Sequence, residues 1–290
     1  LSFGEAMAKR TKKPHRARRL VLVLAALLLG ALIRGNVSLQ TETFTCRSAH
    51  LPEGFDGFTA AVLSDLHGKT FGKDNERLLA AVAEQSPDAI FLTGDLVDEH
   101  TQNAQEYSAS LASALSAIAP TYYVTGNHEW ASGIVPELKK TLRAAGVTVL
   151  SNEFVPIERG GDTVVLAGID DPNGYADQKT PETLASEVYA AYGEVYWVLL
   201  AHRNDRFETQ YSLLGADLTV SGHGHGGIWR LPFFGGLFGT QHNLFPTHTA
   251  GFYEDNGAAL FVSRGLGNSP RFVPRIFNRP QVAVITWERG

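Results

Sequence analysis

Short apolar runs alternate along this chain with longer segments whose apolar residues recur every three or four positions. Phe58 to Ser64 is too short for a helix and is bounded by Gly57 and Asp65, so it predicts a buried strand. Asp74 to Gln85 carries Leu78, Leu79, Val82 and Ala83 at helical spacing, with Asp74 as the expected N-cap. Asp88 to Thr93 predicts the next strand, Gln105 to Ala119 a helix stopped by Pro120, and Thr121 to Thr125 a third strand. Val135 to Ala145 predicts a helix closed by Gly146. The rhythm then changes. Val147–Leu150, Phe154–Ile157 and Val164–Gly168 predict strands, the last two joined at Arg159-Gly160-Gly161-Asp162 by a hairpin turn. Pro181 to Ala191 returns to helix, Tyr196 to Ala201 to strand, Phe207 to Leu214 to helix and Leu218 to Val220 to strand. Ala258–Ser263 and Val282–Trp287 predict the closing strands, and Thr41–Thr45 alternates as an edge strand would.

Strands that alternate with helices imply parallel β-α-β units, and the later hairpins imply a second sheet. The expected fold class is therefore α/β, in one catalytic-sized domain over residues 56–290.

Ahead of that domain the pattern differs. Residues 1–19 hold seven Lys or Arg and one acid, which leaves the rest of the chain at about −11 with neutral histidine. Leu20 to Ile33 contains no polar side chain and ends at Arg34. A basic cluster before such a run predicts a cytoplasmic tail (1–19) and a signal anchor or transmembrane helix (20–34). Residues 35–55 then form a tether leading into an extracytoplasmic domain, with an exported form as the alternative. The acidic remainder argues against a nucleic-acid partner. The single cysteine, Cys46, excludes an intramolecular disulfide.

Candidate chemistry sits at the ends of the predicted strands. In order these are Asp65-Leu66-His67, Gly94-Asp95-Leu96-Val97-Asp98, Gly126-Asn127-His128-Glu129, His202, and Gly222-His223-Gly224-His225. Open α/β sheets bind ligands at the carboxyl ends of their strands. One Asp after a strand is usually a turn residue, and one His is usually solvated or satisfied in a core. Five segments that each end in a metal-capable group are a different matter. Carboxylate, imidazole and amide oxygen together suit Mn, Fe or Zn better than Ca.

These five ordered motifs resemble the calcineurin-like metallophosphoesterase family over residues 56–290. Gly226-Gly227-Ile228-Trp229-Arg230-Leu231-Pro232 and Val262-Ser263-Arg264-Gly265-Leu266-Gly267 are similar to its membrane-associated or exported bacterial members of the YkuE/YaeI type. The resemblance implies a four-layer α/β/β/α sandwich of two mixed sheets flanked by helices, the metallo-dependent phosphatase fold. It implies two divalent metal ions (Mn, Zn or Fe). The first would be held by Asp65, His67, Asp95 and His225, the second by Asp95, Asn127, His202 and His223, with Asp95 bridging. It implies a phosphoester hydrolase, a phosphodiesterase above all, in which a metal-bridging hydroxide attacks phosphorus, His128 assists the leaving group and Asp98 orients His128. The alternatives are a UDP-diacylglucosamine-type pyrophosphatase, a phosphomonoesterase, or a non-catalytic metal-binding scaffold at the envelope.

The chain departs from the family at Arg203-Asn204-Asp205, where Pro-Asp is common, and at Gly224 and Ile228, where Thr and Gln are common. Arg203 either meets substrate phosphate or pairs with a nearby acid. Ile228 to Phe238, long and aromatic, either folds into the core beside the site or forms an apolar lip that faces the bilayer and receives a lipid-linked phosphoester.

Overall fold

The computed structural model describes residues 13–240, 243–268 and 273–290, and for 13–16 the backbone alone. Residues 1–12, including Lys9, Arg10 and Lys12 of the expected basic tail, lie outside the described residues.

Helix α1 runs from Lys13–Val37, longer than the expected 20–34. Its segment Ala17–Val37 is 21 residues long and apolar enough to cross a membrane. At 1.5 Å per residue that is about 31 Å, the thickness of a bilayer's hydrocarbon core. Its apolar side chains from Leu20 to Leu29 are exposed, which a helix packed in a protein core would not allow. The expected tether (35–55) contains strand β1, Gln40–Ser48.

The domain follows in chain order: β2 (Thr59–Leu63), α2 (Glu76–Ala83), β3 (Ala89–Thr93), α3 (Ala104–Ser116), β4 (Thr121–Val124), α4 (Asn127–Ala131), α5 (Val135–Ala144), β5 (Thr148–Val149), β6 (Glu153–Arg159), β7 (Asp162–Gly168), α6 (Pro181–Tyr192), β8 (Trp197–Arg203), β9 (Leu218–Gly222), β10 (Arg230–Leu231), β11 (Gly235–Gly236), β12 (Gly251–Asp255), β13 (Ala258–Val262) and β14 (Gln281–Arg289). One six-stranded sheet has the order β1-β14-β2-β3-β4-β5, the other β12-β13-β9-β8-β7-β6. The central strands of each run parallel, and antiparallel pairs join β14 to β2, β6 to β7 and β12 to β13.

The side-chain period of two explains the layers. On β2, Ala60 and Val62 face the other sheet, while Ala61 and Leu63 face α2, α3 and α5. On β8, Val198 and Leu200 point inward, while Trp197, Leu199 and Ala201 point toward α6. Phe55, Phe58, Phe91 and Trp287 fill the space between the sheets. The result is the expected four layers: helices, sheet, sheet, helix. The β6–β7 turn is built as its sequence predicts, with Gly160 at φ 64° and Gly161 at φ 90°, the left-handed pair that a two-residue hairpin requires.

Two local expectations are corrected. Asp74 does not cap α2: Asp74 and Asn75 both take left-handed backbone, the helix starts at Glu76, and Asn75 Oδ1 accepts instead from the Phe71 amide at 2.9 Å. Phe207 to Leu214 is not one helix. It holds the 3-10 turn Tyr211–Leu213, with a bend at Gln210. Phe207 and Tyr211 are buried under the second sheet, four residues apart, which is the spacing that imitated a helix.

Candidate metal centre

The five motifs converge at the carboxyl ends of β2, β3 and β4 in one sheet and of β8 and β9 in the other. Two groups of donors form there. Asp65, His67, Asp95 and His225 each offer an atom within 4.8 Å of the others, as do Asp95, His202 and His223. Asp95 belongs to both. Asn127 Oδ1 stands 3.2 Å from His202 Nε2. All seven expected ligands are thus brought to one place, and the six acidic and imidazole groups are buried.

The backbone reaches this arrangement under strain. Asp65 (φ 53°), His67 (φ 49°), Asp95 (φ 52°), His223 (φ 64°) and His225 (φ 45°) all occupy the left-handed region. Each costs about 1 kcal/mol or more in an L-residue, and such residues cluster where a site needs its side chains aimed.

Hydrogen bonds fix what each donor presents. His202 Nδ1 lies 2.8 Å from the Thr93 carbonyl, which can only accept. Nδ1 therefore carries a proton and Nε2 faces the centre, 3.1 Å from Asp95 Oδ2. Asp95 Oδ1 accepts from the His128 amide at 2.9 Å, and Asp65 Oδ1 from the His223 amide at 3.0 Å. Asp65 Oδ2 is buried with no hydrogen-bond partner. Nε2 of His67 and Nε2 of His225 approach to 3.2 Å. With metal–nitrogen bonds of about 2.0–2.1 Å, two imidazoles on one cation stand about 3.0–3.4 Å apart. An orphaned carboxylate oxygen and this nitrogen spacing fit a pair of divalent cations.

Electrostatics agree. Burial pushes the Asp65 carboxyl up, and burial with the charges of His202 or of His67 and Arg275 keeps His223 (about 3) and His225 neutral. Burial also opposes charge on Asp95, yet His202 and His67 hold it well below the usual carboxylate range.

Glu129 closes the Gly126-Asn127-His128-Glu129 motif, whose pattern assigns it no ligand or catalytic role. Its buried carboxylate accepts from the amides of Asp95 (3.1 Å), Leu96 (2.5 Å) and Gly126 (2.8 Å), tying the β3 loop to the start of α4. The signal was its place three residues after Gly126, the capping-box spacing. Arg275 was missed altogether. It is buried, with Nη2 3.3 Å from His225 Nδ1 and its other groups donating to the carbonyls of Gly267 and Arg264 at 2.8 Å.

His128 is half-buried at the rim, its Nδ1 3.2 Å from Glu99 Oε2 and its ring edge-on to His67 at 4.8 Å. Asp98 Oδ2 stands 3.5 Å from His67 Nδ1. Arg203 pairs with an acid: its Nε and Nη2 meet the two oxygens of Asp171 at 2.8 and 3.3 Å. A cavity of about 640 Å³ opens over the centre, with Asp95, Asn127, His128, His223 and His225 at its floor and Ile228, Trp229, Phe238 and Leu244 along one wall.

The fit leaves no room at Gly126, where a Cβ would overlap Asp95 Oδ1. We expect Gly126→Ala to weaken metal binding by about 10–100-fold, as for lost ligand support elsewhere. Competition with a chelator measures this, and unchanged affinity would contradict the placement of Asp95.

Comparison with known proteins accords with this geometry. Over 95% of its length the chain is 28% identical to the metallophosphoesterase YkuE of Bacillus subtilis, covering 98% of that protein. It is 29% identical to the phosphodiesterase YaeI of Escherichia coli, over 84% of this chain and 87% of that one. Among solved structures, the Thermus thermophilus sulfate thiohydrolase SoxB shares the fold, with a TM-score of 0.51 and 14% identity over 74% of this chain and 53% of that one. The family profile described as calcineurin-like phosphoesterase matches residues 58–227, and with its motifs gathered at one centre the chain belongs to that family of phosphoric ester hydrolases.

Proposed function

We propose that the chain is a membrane-anchored phosphodiesterase of the cell envelope, its catalytic domain on the side opposite the basic residues of 1–19. The observation that carries this is the shared carboxylate: Asp95 belongs to both donor groups, beneath a cavity of about 640 Å³ with an apolar wall. Asp65, His67, Asp95 and His225 would hold one ion, and Asp95, Asn127, His202 and His223 the other. When bound, such ions supply positive charge for a phosphate anion and acidify a water to serve as nucleophile. Two carboxylates leave about two of the four positive charges uncompensated, which favours an anionic substrate.

The chain's own residues do the rest. His128, at the rim, donates a proton to the leaving oxygen. The Glu99 carboxylate, lowered by a bond from its own backbone amide and by His128 against slight burial, steadies the imidazolium from Nδ1. Asp98 would orient His128, and its Oδ2 also stands 3.5 Å from His67 Nδ1. Glu129 and Gly126 keep the Asp95 loop in register.

The test uses the full chain in detergent, stripped of metal and reloaded separately with Mn, Zn, Fe and Mg. Bis(4-nitrophenyl) phosphate and 4-nitrophenyl phosphate are compared. We expect metal-dependent turnover that favours the diester. A monoester preference overturns the diester assignment, and two bound ions without turnover of either would indicate a scaffold.

A further inference from the structure

The wall of the cavity continues onto an exposed apolar face. The β10–β11 hairpin carries Phe233, fully exposed, and Phe234, 74% exposed, at its tip. Leu244, Phe245 and Phe277 are also more than half exposed. So many large apolar groups exposed on this hairpin and the segments bonded to it are unusual on a surface that faces water.

What covers them is set by where α1 ends. The Arg230 amide donates to Ile276 O and Trp229 Nε1 donates to Pro274 O, both at 2.9 Å, so the hairpin is tied to the segment 273–279. That segment is tied in turn to the end of α1. Asn36 Oδ1 accepts from the Arg275 amide at 3.0 Å, Asn36 Nδ2 donates to Arg275 O at 3.0 Å, and Arg279 Nη2 donates to Ser38 Oγ at 2.9 Å. Phe277 then lies in a groove with Ala26, Leu27, Ala31 and Arg34. Leu27 is ten residues before the end of α1, about 15 Å along its axis. The same groove is bordered by Gly35, Gln40 and Arg279, so Phe277 sits beside about the last three turns of α1. A helix that crosses the bilayer up to Val37 therefore brings it and the hairpin tied to its segment to the membrane interface.

The far side of the cavity is polar. Past Gly224 and Thr240, which border both spaces, a compartment of about 170 Å³ is lined by Asn204, Asp205, Glu208 and His248. Asn204 Oδ1 is buried there without a hydrogen-bond partner. Carboxylates and a bare amide oxygen accept hydrogen bonds, so this compartment suits hydroxyl or amine donors.

We propose that the hairpin tip and Phe277 seat the cavity on the bilayer, and that the substrate is a membrane-resident phosphodiester. Its acyl or isoprenoid chain lies along Trp229, Phe238 and Leu244, and its hydroxyl- or amine-bearing head enters the Asn204 compartment. The substrate half rests on the phosphodiesterase assignment, whereas the seating half stands without it.

Two measurements on the full chain separate these halves. For seating, Phe234→Cys carries an environment-sensitive fluorophore in vesicles of phosphatidylethanolamine and phosphatidylglycerol, the native Cys46 being buried. Nitroxide lipids are expected to quench it several-fold more than the same label at Ala190→Cys on α6. Equal quenching overturns the seating. For the substrate, methyl and hexadecyl 4-nitrophenyl phosphates are compared in one mixed micelle. We expect kcat/KM to rise at least about tenfold with the long chain. Phe233→Ser, Phe234→Ser and Phe277→Ser combined should erase that gain and leave bis(4-nitrophenyl) phosphate turnover unchanged. Equal turnover of the two alkyl diesters, with the soluble diester still cleaved, overturns the substrate class alone. Failure of every diester in the metal-loaded enzyme overturns the phosphodiesterase assignment and the substrate half with it, while the quenching result stands.

Discussion

Asp95→Asn is expected to lower bound metal from about two ions per chain to fewer than one and to cut diester turnover by more than about 10³-fold, beyond the usual cost of one electrostatic stabiliser. Asparagine keeps the size of the side chain and the acceptor for the His128 amide, but removes the charge that both donor groups share. The same pair sets a pH dependence. Burial opposes charge on His202, yet Asp95 at 3.1 Å lifts it to about 10 in the metal-free protein. Below that value a proton sits where a cation must bind, so wild-type metal affinity should rise with pH up to about 10. In Asp95→Asn the proton is no longer held, and that slope should flatten through the neutral range. Metal analysis with calorimetry at two pH values checks both. Full metal content in the variant would show that Asp95 does not bridge.

His128→Ala is expected to lower kcat by about 10²–10⁴-fold, the range for a positioned general acid, with metal content unchanged. The reason is a division of labour within one residue. The backbone amide of His128 supports Asp95 and survives in alanine, while the imidazole lies at the rim between Glu99 and His67, outside both donor groups. The leaving group separates proton donation from charge stabilisation. A nitrophenolate needs little help from an acid, whereas an alkoxide needs a full proton. The loss should therefore be greater with a dialkyl diester than with bis(4-nitrophenyl) phosphate. Equal losses on both would make His128 a charge stabiliser and not the acid.

Much of this was legible in the chain because the motifs are local. Each ligand follows a short apolar run, so one-dimensional periodicity marks both the strand and the loop where its donor sits. The hairpin at Gly160-Gly161 was legible for the same reason. What stayed hidden depends on distant partners. Glu129 acts on amides more than thirty residues away, and Arg275 reaches His225 from a segment with no periodic signal. Phe207 and Tyr211 show the opposite failure, in which burial at helical spacing imitates a helix. The aromatic run after Ile228 offered two outcomes, and the structure divides it: Phe238 lines the cavity, while Phe233 and Phe234 are exposed.

The position of β14 carries a consequence in time. It lies between β1 and β2, parallel to the former over nine residues and antiparallel to the latter, although β1 directly follows α1. β1 has no strand partner, and β2 only β3, until Gln281–Arg289 has been made. Gly267, whose amide bonds to the Asp65 carbonyl at 2.5 Å, arrives almost as late. Until then the first sheet lacks its β1–β14 side, and the Asp65 loop is braced by the Gly94–Leu96 loop. The metal centre is therefore completed late in folding, when the closing strand and the Gly267 loop reach elements made long before them.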